Sequence, residues 1–224
     1  MAIYDCFQYF NEDHVVDLRM NILNDFVDYF VISESTKTHQ GQEKKLNFEL
    51  KNFKKFVYPE FERFNIKSLL DYGGGGSDWE KKDFEGEKSA KGYFNLDKVI
   101  KYEPAIGLNE LESCDCVVCF DVLEHIYLND LRKILIQIYS NATKLVILQV
   151  ACYEAAALLP TGENAHITKR PPMWWKGFVD NISIDFPEVN TMLICSTKYL
   201  QAQAFKTWKN ALYDEKEGYT VKLE

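Results

Sequence analysis

Asp71 and Tyr72, then Gly73, Gly74, Gly75, Gly76 and Ser77, stand directly behind the apolar run 66–70. Glycine in such a turn takes a positive φ cheaply, and it lets backbone N–H groups approach a ligand with no Cβ in the way. Two more acids close later apolar runs: Glu103 after 99–102, and Asp121 after 115–120, where it opens the run Asp121, Val122, Leu123, Glu124, His125. In an open parallel sheet, ligands gather at the carboxyl ends of the strands where the strand order reverses. A carboxylate in that position can accept both hydroxyls of a ribose. Three such features in order point to a nucleoside-containing ligand. A dinucleotide fits less well: Trp79 stands where the G-x-G-x-x-G fingerprint needs its last small residue, and Glu103 comes later than the roughly 20 positions that fingerprint uses.

Proton transfer from an acceptor hydroxyl or amine needs a base near neutrality, and of the four histidines His125 and His166 are the candidates. His14 and His39 lie in the N-terminal segment. For His125, packing or a hydrogen bond to backbone is the plainer role. His166 sits in a polar insertion, 155–169, with Glu163 and Asn164 placed to orient it or the acceptor, or simply to cap the loop. Trp174 and Trp175 follow Pro171 and Pro172; one belongs in the core and the other is placed to wall an acceptor pocket.

The elements that position these residues alternate. Strands are predicted over 66–71, 99–103, 115–120, 144–150 and 191–196, with helices in the mixed stretch before 96 and over 128–139, 172–181 and 201–213. Near-continuous apolar strands separated by helices predict a mostly parallel sheet covered on both faces. The interval 105–113 is too short for a full strand–helix unit, so a third strand is expected to be short or missing. Residues 2–7 and 30–32 read as strands flanking a helix at 15–26, with a polar loop at 35–45 and a half-exposed segment at 47–56. That βαβ unit is too small to bury a core alone. The expected divisions are therefore 1–56, 57–200, and a C-terminal helix and tail at 201–224.

Composition narrows the classes. The chain has 224 residues, 46% of them hydrophobic and 14% aromatic, as in a globular protein. A net charge of −8 argues against a nucleic-acid partner. No apolar run is long enough to span a membrane and no leader is evident, so no membrane partner and a cytoplasmic setting are expected. Cys114, Cys116 and Cys119 lack a second Cys or His pair at zinc spacing, so all six cysteines are read as core and no metal is expected.

Residues 66–199 resemble class I S-adenosylmethionine-dependent methyltransferases through Asp71, Gly73 and Gly75, Glu103, and the 121–125 run. The resemblance implies a Rossmann-like α/β sheet with helices on both faces. It implies S-adenosyl-L-methionine as cofactor, held by Asp71, Tyr72, Gly73, Gly74, Gly75, Glu103, Pro104, Asp121, Val122 and Leu123. Methyl transfer to an oxygen or nitrogen of a small molecule or glycan follows as the expected activity, with His166 and His125 as catalytic candidates and Glu163, Asn164, Trp174 and Trp175 against the acceptor. The alternative is a non-catalytic module binding a glycan or a protein, and a homo-oligomer is possible. The N-terminal segment is similar to the opening of a glycosyltransferase family 17 domain, through Ile3, Tyr4, Asp5, Cys6 and Phe7, then Phe10, Asn11 and Glu12, Arg19, Leu23, the run 27–31 and Glu34. Only the first quarter of such a domain is matched on this reading, so glycosyl transfer is not expected and the segment is taken as a retained module.

Overall fold

The computed structural model describes residues 4–9, 29–34, 50–155, 158–159, 162–198, 201–208 and 216–222. The chain divides into two compact units, one of residues 1–46 and 155–165, the other of 47–154 and 166–224. In the first, β1 (Tyr4–Tyr9) and β2 (Tyr29–Glu34) pair in parallel from Tyr4 opposite Tyr29 to Tyr9 opposite Glu34. Parallel neighbours require a crossover between them. The expected helix at 15–26 and loop at 35–45 lie outside the described residues.

The second unit is a mixed α/β fold built on one seven-stranded sheet. Its strands are β3 (Ser68–Tyr72), β4 (Lys98–Tyr102), β5 (Cys114–Phe120), β6 (Ala142–Ala151), β7 (Asn190–Lys198), β8 (Gln201–Thr207) and β9 (Lys216–Lys222). They lie in the order β4-β3-β5-β6-β7-β8-β9, parallel through β7 and antiparallel thereafter. Its helices among the described residues are α1 (Leu50–Arg63), the single turn α2 (Ala90–Tyr93), α3 (Leu128–Ser140) and α4 (Pro172–Ser183).

Period-two alternation sorts the strand side chains onto two faces. Leu70, Val117, Cys119, Val146, Leu148, Leu193 and Cys195 pack with α3 and α4 through Leu131, Leu135, Ile138, Trp175, Val179 and Ile182. Leu69, Cys116, Val118, Leu145, Ile147, Met192 and Ile194 pack with α1 through Leu50, Phe53, Val57 and Phe61, beside Trp79, Phe84 and Phe94. A register shift between Cys114 and Cys116 sends those two thiols to opposite faces.

Three expectations are corrected. Residues 201–207 form β8 rather than a helix: β7 needs a partner on its outer side, and the alternation that buries Ala202 and Ala204 on one face and Phe205 on the other outweighs the helical preference of alanine. Residues 50–56, read as part of a half-exposed segment, belong to α1. Its apolar residues Leu50, Phe53, Val57 and Phe61 recur at helical spacing, and Pro59 is carried inside it. The helix foreseen before residue 96 shrinks to one turn capped by Ser89, whose hydroxyl accepts from the Gly92 amide at 3.1 Å. Between Glu103 and β5 the described residues form no further strand, in line with the short interval; residues 104–106 form a short 3-10 turn.

Candidate functional site

The glycine turn leaves β3 between two braces. Gly73 has φ 77° and donates its amide to the Tyr102 carbonyl at 2.7 Å. Asp71 is buried, and its Oδ2 accepts from Ser77 Oγ at 2.5 Å and Trp79 Nε1 at 2.8 Å. Burial pushes the Asp71 carboxyl above its ordinary value, while those two donors and Lys101 pull it back and Glu103 adds to the rise. A Cβ on Gly74 would overlap that carboxylate, so position 74 has no room for a side chain while Asp71 holds this pose. The second brace is Lys101 and Glu103. Lys101 Nζ donates to the carbonyls of Gly75 at 2.9 Å and Ser77 at 2.6 Å. Glu103 Oε2 accepts from the Gly75 amide at 2.9 Å and Oε1 from the Ala105 amide at 3.2 Å.

The turn encloses a hollow of about 180 Å³ lined by Leu50, Asp71, residues 73–77, Trp79, Val118, Phe120 and Asp121. It lies at the carboxyl ends of β3 and β5. There the strand order reverses, since β4 is added on one side of β3 and β5 on the other. A drug-sized ligand occupies roughly 300–1,000 Å³, so this hollow has room for only part of one.

Beyond Asp121 the chain makes a 3-10 turn, Leu123–His125. Asp121 itself is exposed and has φ 57°, the left-handed region that few residues other than glycine visit. Glu124 is fully buried; its Oε1 accepts from the Ala151 amide, and Oε2 has no hydrogen-bond partner among the described residues. Burial, and then the neighbouring Asp121 charge, hold its carboxyl well above the ordinary range. The segment bearing His166 is fastened to this turn by Thr168, whose amide donates to the Glu124 carbonyl at 2.9 Å and whose hydroxyl donates to the Ile126 carbonyl at 2.6 Å. His125 and His166 consequently meet, with ring centroids 4.9 Å apart and planes at 75°. Donor atoms of Asp121, His125 and His166 all lie within 4.8 Å of one another, a group able to hold a metal ion.

The remaining expected site residues divide. Tyr72 and Leu123 are buried in the core, Tyr72 donating to Gln137 Oε1 at 2.5 Å. Val122 packs under the turn, where a Cβ on Gly73 would come 2.6 Å from its Cγ2. Pro104 is exposed in the 3-10 turn after Glu103. Trp175 is wholly buried; Trp174 stacks on Phe178 at 5.0 Å with the Arg170 guanidinium 5.7 Å from its ring. Asn164 braces the insertion, exchanging two 2.9 Å hydrogen bonds with the Ala155 backbone, and Glu163 accepts the Leu159 amide through its carbonyl at 2.7 Å. Sequence reasoning missed Lys101, Leu50, Phe120 and Thr168. Lys101 was open to inference as the one cation two residues before Glu103 on the same strand face, whereas Thr168 acts through backbone groups that no pattern announces.

The sequence model of glycosyltransferase family 17 matches residues 1–128. No curated protein and no solved structure matches the chain. The match is much longer than the opening quarter read from the sequence, and it takes in the glycine turn, Glu103 and the 121–125 run. Those are the residues on which methyl transfer was expected. That expectation is overturned, because a glycine turn followed by strand-end acids is common to many nucleotide-binding sheets and does not single out one cofactor. The non-catalytic glycan-binding alternative gains no support from the match.

Proposed function

The chain belongs to glycosyltransferase family 17, and from that premise we propose that it transfers a glycosyl unit from a nucleotide-activated donor to a hydroxyl of a glycan. The observation that carries this reading is the assembly, within the family match, of Asp71, the 73–77 turn and Asp121 around one hollow at the strand-order reversal. On this reading the parallel half of the sheet is Rossmann-like and the hollow receives the nucleoside end of the donor. The acceptor oxygen bonds to the anomeric carbon as the bond from that carbon to the phosphate oxygen breaks. The leaving phosphate takes the electron pair and the acceptor's proton is released to solvent.

Gly75→Asn tests it. Gly75 has φ 48°, which asparagine tolerates, and a Cβ there meets nothing within 4 Å. The variant is expected to keep the thermal midpoint of the parent within a few degrees while filling part of the hollow. Wild-type protein incubated with a panel of nucleoside diphosphate sugars and mixed glycans should release nucleoside diphosphate and label a glycan. Gly75→Asn should cut that release at least tenfold. No release and no labelling by folded wild-type protein across the panel would overturn the proposal.

A further inference from the structure

We propose that Asp121, His125 and His166 form a mononuclear site for a divalent transition-metal ion of the zinc(II) class at the rim of the hollow. The three side chains offer one carboxylate oxygen and two imidazole nitrogens, mutually within 4.8 Å. Imidazole donors favour zinc, iron(II), cobalt or nickel, whereas magnesium and calcium take oxygen ligands. Zinc at roughly 2.0–2.1 Å from each donor separates tetrahedral ligands by about 3.4 Å, so the widest pair closes by at most about 1.5 Å. Side-chain rotation of Asp121 and His125 at the surface can supply that movement.

A second, independent observation is the setting of His166. Its Nδ1 lies 2.5 Å from the Tyr153 carbonyl. A carbonyl only accepts, so Nδ1 carries the proton and the ring lone pair sits on Nε2. Metal-binding histidines are held in this way: the far nitrogen donates to a backbone carbonyl, which fixes both the tautomer and the ring plane. The ring is buried, Tyr153 packs on its edge at 5.8 Å between centroids, and the two Thr168 hydrogen bonds fix its segment on the turn that carries His125. The Asp121 backbone is left-handed, a local strain of the kind that persists where surrounding structure or function requires it. Beside it, Glu124 keeps a fully buried Oε2 with no hydrogen-bond partner among the described residues.

Three protein ligands leave a tetrahedral ion one open position, the arrangement of catalytic rather than structural zinc. Asp121 also lines the hollow. On the glycosyl-transfer reading, the open position is where a phosphate oxygen of the donor would complete the shell. The sequence-level pairing of His125 and His166 as bases becomes a pairing of ligands.

Calorimetry on chelator-treated full-length protein, with zinc chloride alone and then magnesium chloride alone, tests the site without any nucleotide. Saturable 1:1 zinc binding at micromolar concentration or tighter is expected, with magnesium at least a hundredfold weaker. Asp121→Asn and His125→Gln, both outside the core, should each weaken zinc at least tenfold with unchanged circular dichroism. His166→Gln should do so as well, and serves as a third variant if it folds. Cobalt(II) should give the intense visible bands of a four-coordinate site, and these should be lost in His125→Gln. Absence of 1:1 zinc binding, or zinc binding unchanged in both surface variants, would overturn the assignment. Donor cleavage measured in parallel separates the two proposals. Zinc binding with no cleavage counts against glycosyl transfer and leaves the site standing, while cleavage with no zinc binding does the reverse.

Discussion

Gly74 is confined to glycine by the position of Asp71, and this pairing explains the turn better than conformational freedom does. The carboxylate occupies the space a Cβ would need and spends its lone pairs on Ser77 and Trp79. Gly73 and Gly75 are different cases. Both have positive φ, but an added methyl at 73 would lie 2.6 Å from Val122 Cγ2, and one at 75 would meet open space. Alanine at either position bears the left-handed penalty of about 1–2 kcal/mol; only Gly73→Ala adds an overlap with its neighbour. Urea unfolding should therefore rank Gly73→Ala clearly below Gly75→Ala in stability. Equal losses at the two positions would show that Val122 does not press on the turn. The sequence made Asp71 and Glu103 visible as strand-end acids, yet not which way they turn. An acid at a strand end can face a ligand or the loop that follows. The choice was made by donors that no spacing rule links to it: Ser77, Trp79, and the amides of Gly75 and Ala105.

Strands β3 and β5 to β7 were legible as apolar runs because burial on both faces leaves little room for polar residues, and α3 and α4 because one stripe repeats at helical spacing. The elements that were misread depend on partners. Residues 201–207 become a strand by pairing with β7, and α1 keeps its helix through Pro59 by burying Phe53, Val57 and Phe61 against the sheet. The pairing of β3 with β5 is fastened at its start by Asp115. Its Oδ2 accepts from the amides of Lys67 at 2.8 Å and Ser68 at 3.1 Å, while Oδ1 lies 2.9 Å from Lys144 Nζ. Partial burial raises the carboxyl, but Lys144 and the two amides outweigh that and hold it below its ordinary value. A depressed acid stabilises the fold above its unfolded value, and that contribution is lost as pH falls through the folded one. Asp115→Asn should cost about 1–2 kcal/mol near neutrality, in line with hydrogen bonds to a charged group. As pH falls below the ordinary aspartate value of 3.8 and through the lower folded one the two proteins should converge, because the unfolded carboxyl is protonated first and the folded one after it. A difference that stays constant from pH 7 to pH 3 would mean that the charge contributes nothing.

For the molecule as a whole, the boundary of the family match and the boundary of the fold do not coincide. The match ends at residue 128, at the first residue of α3. The sheet continues through β6 to β9, and β5 lies between β3 and β6. Cutting at 128 would strip β5 of its partner along its whole length and remove Val146, Leu148, Trp175, Val179 and Leu193 from one face, with Leu145, Ile147, Met192 and Ile194 from the other. It would also remove His166 and the Thr168 fastening from the group around Asp121. The resemblance read from the sequence went astray at this scale for a related reason. Motifs at strand ends report the sheet that carries them, and sheets of this kind serve many nucleotide ligands, whereas the family signal is spread over a longer stretch of chain. An expressed fragment of residues 1–128 is therefore expected to lack a cooperative thermal transition and near-ultraviolet dichroism, with the full chain showing both. A fragment that melted cooperatively would establish the family segment as a self-sufficient body. The later strands would then be an addition to the site rather than half of the scaffold that holds it.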